Sequence, residues 1–277
     1  MSQNKSKTNG LPSYKFPPVI EVVCGISFNK IEKLKAPHFG LFWQKLRSDY
    51  PKCQHAAPLG FPSKPLDFDV DPEFPFPFPR IWFINEKEDG LIQLQNNRFL
   101  YNWRKILPEE TYPRYQMVKK GFKKNLGIFK TFLAEESLGS INLIECELTY
   151  INQILKGEGW ESVADIHGVM SDLNWRLDDK RFLPEPRNLG WNATFALPED
   201  NGRLYVQLEQ KIRQIDKKPL FILKFIARGL GADKSEDAMW NWFDLAHKWI
   251  VCGFTDLTNK KIQSKIWQRE NNIKEVS

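Results

Sequence analysis

A long amphipathic helix predicted for residues 113–133 places the strongest constraint on how this chain folds. Its apolar residues recur at intervals of three and four, which puts them on one face of the helix. Gly121 and Gly127 each cost this helix up to about 1 kcal/mol relative to alanine, but the apolar face is long enough to offset them. Such a helix must bury that face against a sheet. The face consists of Tyr115, Val118, Phe122, Leu126, Phe129 and Phe132.

The first half of the chain also contains strands that such a helix can cover. Between Val19 and Phe28 apolar residues occupy alternate positions, as in a strand with one buried face. The pair Asp89-Gly90 separates two apolar runs and is a strong signal for a hairpin turn. In the second run, Asn96-Asn97 indicates a bulge or a second turn. We predict strands at 19–28, 80–86, 91–104 and 141–154, and helices at 37–50 and 113–133.

The second half of the chain predicts an antiparallel meander followed by a closing helix. Residues 200–202 and 216–219 are rich in turn formers and separate three strand patterns. The closing helix starts near Asp233, where Asp233 and Glu236 have the spacing of a capping box. We predict strands at 191–197, 203–215 and 220–228, a short helix at 160–173, and a last helix that contains Ile262.

These patterns predict an α+β fold of antiparallel sheets, each covered by long amphipathic helices. The Lys-Gly-Glu-Gly stretch at residues 156–159 is a plausible boundary. It separates an N-terminal half, residues 17–155, from a C-terminal half, residues 156–277. A disordered lead, residues 1–16, precedes both. Two alternatives stay open: two halves related by duplication, or one domain into which both halves pack.

A proline-rich segment at residues 58–79 interrupts the first half. Its seven prolines remove donors from any strand ladder, so it cannot be a central strand. Phe74, Phe76 and Phe78 alternate with prolines, which restrict the backbone before any partner binds. We expect either an interaction arm that binds a partner through these phenylalanines, or a segment that covers the open face of the sheet.

Composition excludes several classes of protein. The hydrophobic fraction of 42% and the charged fraction of 27% are typical of globular proteins. The 40 basic and 34 acidic residues leave a net charge of +6, which permits an anionic partner without requiring one. No stretch approaches the roughly 20 apolar residues that cross a bilayer, and no signal peptide pattern is present. The four cysteines form no CxxC pair. We therefore expect a cytoplasmic protein without disulfides and without membrane contact.

One set of residues resembles the metal site of a nuclease. Restriction-type folds place an Asp and a Glu-x-Lys on neighbouring strands, where the carboxylates hold a divalent metal and the lysine lies near the attacking water. Glu209 and Lys211 share a strand face, as this arrangement requires. Asp200 lies in a predicted turn, and the alternative is that Glu209 and Lys211 belong to the solvated side of a strand.

The remaining reactive residues also have ordinary explanations. Cys53 and His55 are of the residue types that form zinc sites or nucleophile–base pairs, but no second pair lies at zinc-site spacing. Glu145 and Glu147 project together from one strand, as acid–base carboxylates do, although a solvated strand face explains them as well. His247 is expected on a helix surface or in the core. We predict no catalytic set, no metal and no cofactor.

A basic surface is the alternative binding feature. Lysines on the outer side of the helix at 113–133, with nearby arginines, offer contacts to phosphates, and Tyr101, Trp103 and Tyr112 offer faces for base stacking. A lysine-rich outer face is also typical of any amphipathic helix in water. The predicted nucleic-acid contacts are Arg98, Arg104, Lys119, Lys120, Lys123 and Lys124.

The segment from Pro17 to Phe28 resembles the opening of a sporadically distributed, largely uncharacterised bacterial family, whose members begin with a Pro-Pro-(Ile/Val)-x-Glu-Val-Val strand. The spacing of Gln95 and Arg98 and the Phe-Thr-Asp-Leu-Thr at residues 254–258 are similar too. The resemblance runs from about Pro17 to Trp267. It implies a cytoplasmic prokaryotic protein from a patchily inherited gene, as antiviral-defence and toxin–antitoxin genes often are, and it implies no catalytic residues.

Three functional hypotheses follow. The first is a non-enzymatic binding or regulatory component of a bacterial antiviral-defence or toxin–antitoxin-like system, acting through a protein partner. The second is a nucleic-acid-binding protein that uses the basic helix. The third is a metal-dependent nuclease that uses Asp200, Glu209 and Lys211. The oligomeric state does not follow from the sequence.

Overall fold

The computed structural model describes residues 10–59, 79–175 and 180–270. They form a mixed α+β protein with mostly antiparallel strands, which confirms the predicted fold class at this level. The strands are β1 (Ser13–Tyr14), β2 (Val19–Phe28), β3 (Lys52–Ala56), β4 (Arg80–Ile84), β5 (Gly90–Gln95), β6 (Arg98–Arg104), β7 (Leu143–Leu155), β8 (Gly190–Ala196), β9 (Arg203–Ile212), β10 (Pro219–Gly229) and β11 (Arg269–Glu270). The helices are α1 (Ala36–Leu46), α2 (Tyr115–Glu135), α3 (Glu236–Leu257) and α4 (Lys260–Lys265), with 3₁₀ helices at Val163–Gly168 and Pro198–Asp200.

The chain divides into two compact units. The first unit comprises Glu21–Leu148 and Arg228–Met239. The second unit comprises Met1–Ile20, Thr149–Ala227 and Trp240–Ser277. The halves predicted as residues 17–155 and 156–277 stay a prediction.

In the first unit, an antiparallel sheet carries α1 and α2 on one face. Its strand order is β3-β4-β5-β6-β2-β7. The Phe99 ring of β6 stacks on Phe129 of α2, with ring centroids 5.2 Å apart. Phe42 of α1 packs edge-on against the same Phe129 ring at 5.3 Å. Phe42 also packs edge-on against Phe83 of β4 at 5.7 Å. Aromatic pairs of this kind are worth about 0.5–1.5 kcal/mol each beyond the area they bury, so they hold both helices on the sheet.

In the second unit, the strand order β7-β10-β9-β8 confirms the predicted meander. Leu204, Val206 and Leu208 of β9 are buried, whereas the residues between them are more exposed. This alternation directs one face of the strand into the core. Asn152 of β7 donates from Nδ2 to the Leu223 carbonyl at 3.0 Å, which satisfies a buried amide.

The predicted disordered lead is wrong for its last residues. Ser13 and Tyr14 form β1, which pairs with β11 near the other end of the chain. Tyr14 is buried, and its ring packs edge-on against Phe254 and Trp267 at 5.5 and 6.2 Å. An aromatic side chain with partners so distant in sequence has no local signal, because only the fold brings those partners close.

Two predicted helix features also differ. In place of the helix at 160–173, the structure has a six-residue 3₁₀ helix at Val163–Gly168. Trp160 instead packs on Phe221 at 4.4 Å. The cap of α3 is not the predicted Asp233–Glu236 box: the Ser235 hydroxyl accepts from the Ala238 N–H at 3.2 Å, and Asp233 in turn accepts from the Ser235 N–H. A serine at the N-cap satisfies one of the free donors of the first turn.

Candidate functional site

β8 is an edge strand with none of the features that usually protect one. It lies at the end of the strand order, and among the described residues it pairs only with β9. Its seven residues, Gly-Trp-Asn-Ala-Thr-Phe-Ala, include no charge and no proline, and most are exposed. The edge strand β3 of the first unit is different, because it has five residues, begins with Lys52 and follows Pro51. Natural edges are generally blocked by short length, charge or proline, so β8 is open to an added strand.

The hydrogen bonds to β9 show which backbone groups of β8 point outward. The Leu197 N–H donates to the Gly202 carbonyl at 2.9 Å, and the Gln210 N–H donates to the Leu189 carbonyl at 3.1 Å. Antiparallel ladders bond every second residue, so the odd-numbered residues of β8 bond to β9. The N–H and C=O groups of Asn192 and Thr194 therefore point away from the sheet, where an additional strand would pair.

An apolar groove lies next to β8 on the side of α3. Phe195 of β8 lies opposite Leu204 of β9, and both line the groove. Two charged side chains of α3, Lys248 and Asp256, lie at its rim; both are exposed, and neither forms an ion pair with a described residue. The groove volume of about 390 Å³ falls within the range of about 300–1,000 Å³ for ligand pockets. The remaining wall residues, all on α3, are Trp249, Cys252, Gly253 and Leu257.

Two contacts of α3 set the shape of this groove. Trp242 donates from Nε1 to the Asn201 carbonyl at 2.7 Å, which fixes the helix beside the turn between β8 and β9. Gly253 allows the helix to approach the sheet closely: a Cβ atom there would lie 3.5 Å from Leu204 and 3.6 Å from Phe225. These are ordinary van der Waals distances, so the helix lies close enough to the sheet for a Cβ atom at residue 253 to contact it.

Exposed apolar side chains are frequent in the same stretch of the second unit. Phe182 is 97% exposed and Ile215 is 90% exposed. Leu183, Phe195 and Ile212 are also exposed. Single exposed apolar residues are ordinary, and of these five Phe195 lines the groove.

The first unit has a different feature, a polar network on the sheet face opposite α2. Asn102 donates to Glu21 at 2.6 Å, and Gln93 donates to Asn102 at 2.9 Å. The Gln93 carbonyl oxygen also accepts from Arg80 at 2.9 Å and from Trp82 at 3.1 Å. Burial raises the pKa of Glu21, against the opposing effect of the Asn102 hydrogen bond. The chain of bonds satisfies these buried groups and fixes the strands in register.

Glu145 and Glu147 lie beside buried arginine on the same face, and not on the solvated strand face considered above. Glu147 pairs with Arg228 at 2.7 Å. Burial raises the pKa of Glu145, and burial lowers the pKa of Arg98. With Ser27 they line a cavity of about 10 Å³, which is the size of one water molecule. Two arginines and two glutamates balance in charge, and the cavity has no room for a substrate.

The structure does not bring Asp200 to the predicted nuclease residues Glu209 and Lys211. Glu209 pairs with Lys211 at 2.8 Å, and this bond lowers the pKa of the Glu209 carboxyl. Asp200 lies in the 3₁₀ turn before β9, whereas Glu209 lies six residues beyond the start of that strand, or about 20 Å along it. In residues 10–59, 79–175 and 180–270, no three His, Cys, Asp or Glu side chains group to hold a metal ion.

The cysteine and histidine candidates are exposed on β3 or have structural partners. Cys53 and His55 are exposed on β3, and burial raises the pKa of the Cys53 thiol, which disfavours the thiolate that a nucleophile needs. His38 accepts from the Lys35 N–H at 2.9 Å and so caps α1. His247 stacks on Tyr150, whose hydroxyl lies 3.1 Å from Nδ1. All four cysteines are free thiols.

The predicted basic surface is only partly assembled. Lys120, Lys123 and Lys124 lie on the exposed side of α2, but Lys124 pairs with Asp49 at 2.7 Å. Lys119 lies over the Tyr115 ring at 5.8 Å. Two of the predicted contacts lie elsewhere. The side chains of Arg98 and Arg104 extend from the sheet face opposite α2; Arg98 is 5% exposed, and Arg104 donates to the Glu88 carbonyl at 2.7 Å.

The predicted interaction arm lies outside the described residues. Phe74, Phe76 and Phe78 fall within residues 60–78, so their prediction stays untested. The β8 edge and its groove were not predicted as a site. The local signal was an uncharged strand between turns, but its position at the edge depends on strand order, which the sequence does not state.

Comparison with protein-family models, with curated proteins and with solved structures finds no match for this chain. Within the described ranges, no helix has both the length and the hydrophobicity needed to cross a membrane.

Proposed function

We propose that this chain is a non-enzymatic binding protein whose protein partner adds a strand to β8. The observation that carries the proposal is the exposed, uncharged edge of β8 with its outward backbone groups at Asn192 and Thr194. In strand addition, main-chain hydrogen bonds supply affinity and side-chain pockets supply specificity. The groove beside Phe195 is such a pocket.

The geometry of the other candidates supports a binding role over a catalytic one. Asp200 lies far along the chain path from Glu209, and the carboxylates near Arg98 are balanced by arginines around a water-sized cavity. The family resemblance supports a cytoplasmic setting in a bacterial defence or toxin–antitoxin-like system. The two units each contain antiparallel strands and much of one long helix, α2 or α3, which supports related halves as part of the proposal.

A proline substitution on the outward side of β8 tests this proposal. Thr194→Pro removes an N–H that points away from β9, so the ladder with β9 stays intact and an added strand loses a donor. Thr194→Ala is the matched control, since it keeps the N–H and loses only the hydroxyl and methyl groups of an exposed side chain. The partner is isolated from the native cells as a stoichiometric complex, and its affinity for both purified variants is measured by calorimetry.

We expect at least tenfold weaker binding by Thr194→Pro, because one hydrogen bond is lost and the proline ring blocks close approach of a strand. Thr194→Ala binds like the unsubstituted protein, and both variants keep their melting temperature within a few degrees. Equal binding by the two variants excludes β8 as the site, and the lack of any stoichiometric partner contradicts the proposal as a whole.

A further inference from the structure

We infer that the groove between β8 and α3 accepts one large apolar side chain from the added strand, at the position beside Phe195. This inference rests on the proposed function and specifies the partner: an extended segment with an aromatic or large aliphatic residue and little net charge.

The direction of the side chains follows from the pleat of the sheet. Residues directly opposite each other on neighbouring strands project to the same face. Phe195 projects to the side of α3 with Leu204, because both line the groove there. A residue of an added strand that lies next to Phe195 therefore projects toward α3 as well, and its side chain meets Trp249 and Cys252.

The chemistry of the walls determines what the groove selects. Phe195, Trp249 and Leu257 offer apolar surface, and Phe195 is 38% exposed. Full burial of a large apolar side chain favours binding, and buried anchors of this kind dominate binding energy at interfaces.

The charges near the groove indicate a segment of little net charge. Lys248 and Asp256 at the rim are opposite in sign, and β8 itself has no charged residue. Arg269 also acts on Cys252, so the groups that act on this groove residue leave one net positive charge, and β8 adds none. Because screening acts on net charge interactions, binding of such a segment should change little with salt, unlike the phosphate contacts of a nucleic acid.

The probes for this inference are peptides selected from a random library of twelve-residue segments displayed on phage, with the full chain as bait. Selected peptides should share one aromatic or large aliphatic residue, and its replacement by alanine should raise the Kd at least tenfold. Cys252→Trp fills the groove and should raise the Kd at least tenfold, whereas Cys252→Ser, which keeps the volume, should leave it within twofold. Raising the salt from 50 to 300 mM should change the Kd less than twofold.

A second measurement uses the reactivity of the Cys252 thiol and leaves residue 252 unsubstituted. In a Cys53→Ser background, Cys252 is the partly exposed thiol, since Cys24 and Cys146 are buried. A bound peptide should slow its reaction with N-ethylmaleimide at least fivefold.

The outcomes separate the two proposals. If Thr194→Pro abolishes peptide binding while Cys252→Trp and thiol reactivity are unaffected, the edge binds a strand and the groove inference is wrong. If neither Thr194→Pro nor Cys252→Trp changes the Kd of the peptide, the groove inference is also wrong. The same holds if the library yields no binder with an apolar consensus. Strong salt dependence would contradict the uncharged segment.

Discussion

Two glycines of α2 offer a test of packing in which one serves as the control for the other. A Cβ atom at Gly121 would lie 2.7 Å from Cε1 of Tyr101 and 2.8 Å from its hydroxyl oxygen, well inside the ordinary contact distance of about 3.5–4.0 Å. The Tyr101 ring cannot move freely, because its hydroxyl shares a hydrogen bond with Tyr50. At Gly127 a Cβ atom would meet nothing within 4 Å.

The expected effects follow from two energies. Gly127→Ala should raise the free energy of unfolding by about 0.8–1 kcal/mol through helix propensity alone. Gly121→Ala gains the same propensity but should lose about 1–3 kcal/mol to overpacking against Tyr101. The difference between the two variants therefore isolates the contact, at about 1–3 kcal/mol in favour of Gly127→Ala.

Urea unfolding followed by tryptophan fluorescence measures this difference, provided that the m-values of both variants match. In a thermal scan, each 1 kcal/mol corresponds to a shift of about 2–4 °C for a domain of about 150–250 residues. If both alanine variants are stabilised equally, the Tyr101 ring yields without cost, and the reasoning about close packing at Gly121 is refuted.

Two further predictions concern ionisation. Burial raises the pKa of Glu21, so the folded protein favours the protonated carboxyl. The stabilising effect of the protonated carboxyl is complete below the unfolded-state pKa and is lost as pH rises through the folded-state pKa. Glu21→Gln should therefore stabilise the protein at pH 7, and this gain should vanish near pH 4 when the free energy of unfolding is measured against pH. Arg213 holds the pKa of Asp216 at about 2, so NMR titration of the Asp216 carboxyl should show a midpoint near 2. In Arg213→Ala this midpoint should rise toward 3.8. An unchanged midpoint would show that the 2.8 Å contact between the two side chains does not persist in solution.

The sequence predicts elements whose signal is local. The alternation from Val19 to Phe28 matches β2 in both of its bounds, and the apolar face of α2 is buried as predicted. The Asp89-Gly90 turn and the Asn96-Asn97 turn separate β4, β5 and β6. In each case the apolar periodicity and the turn residues act within about 20 residues, although β2 and β5 are buried on both faces and not on one.

The sequence does not predict features that depend on distant strands. Arg98 occupies an alternate position in a strand, which normally indicates solvent, yet the fold buries it beside Glu147 and Arg228. The Lys124 charge is balanced by Asp49, which follows α1. The groove likewise requires β8 to be last in the strand order and Gly253 to lie against Leu204. None of these neighbours can be identified from a short stretch of the sequence.

The pairing of β1 with β11 has a consequence for synthesis on the ribosome. Ser13 bonds to Glu270 across 257 positions of the chain, whereas most of the first unit is one stretch, Glu21–Leu148. At about 5–20 residues per second, translation needs about 6–25 s to proceed from Leu148 to Glu270. During that interval β1 lacks its partner strand and Tyr14 lacks Phe254 and Trp267, so its ring is exposed to chaperones or to aggregation. The first unit therefore has a head start in folding, and completion of the second depends on release of the last strand.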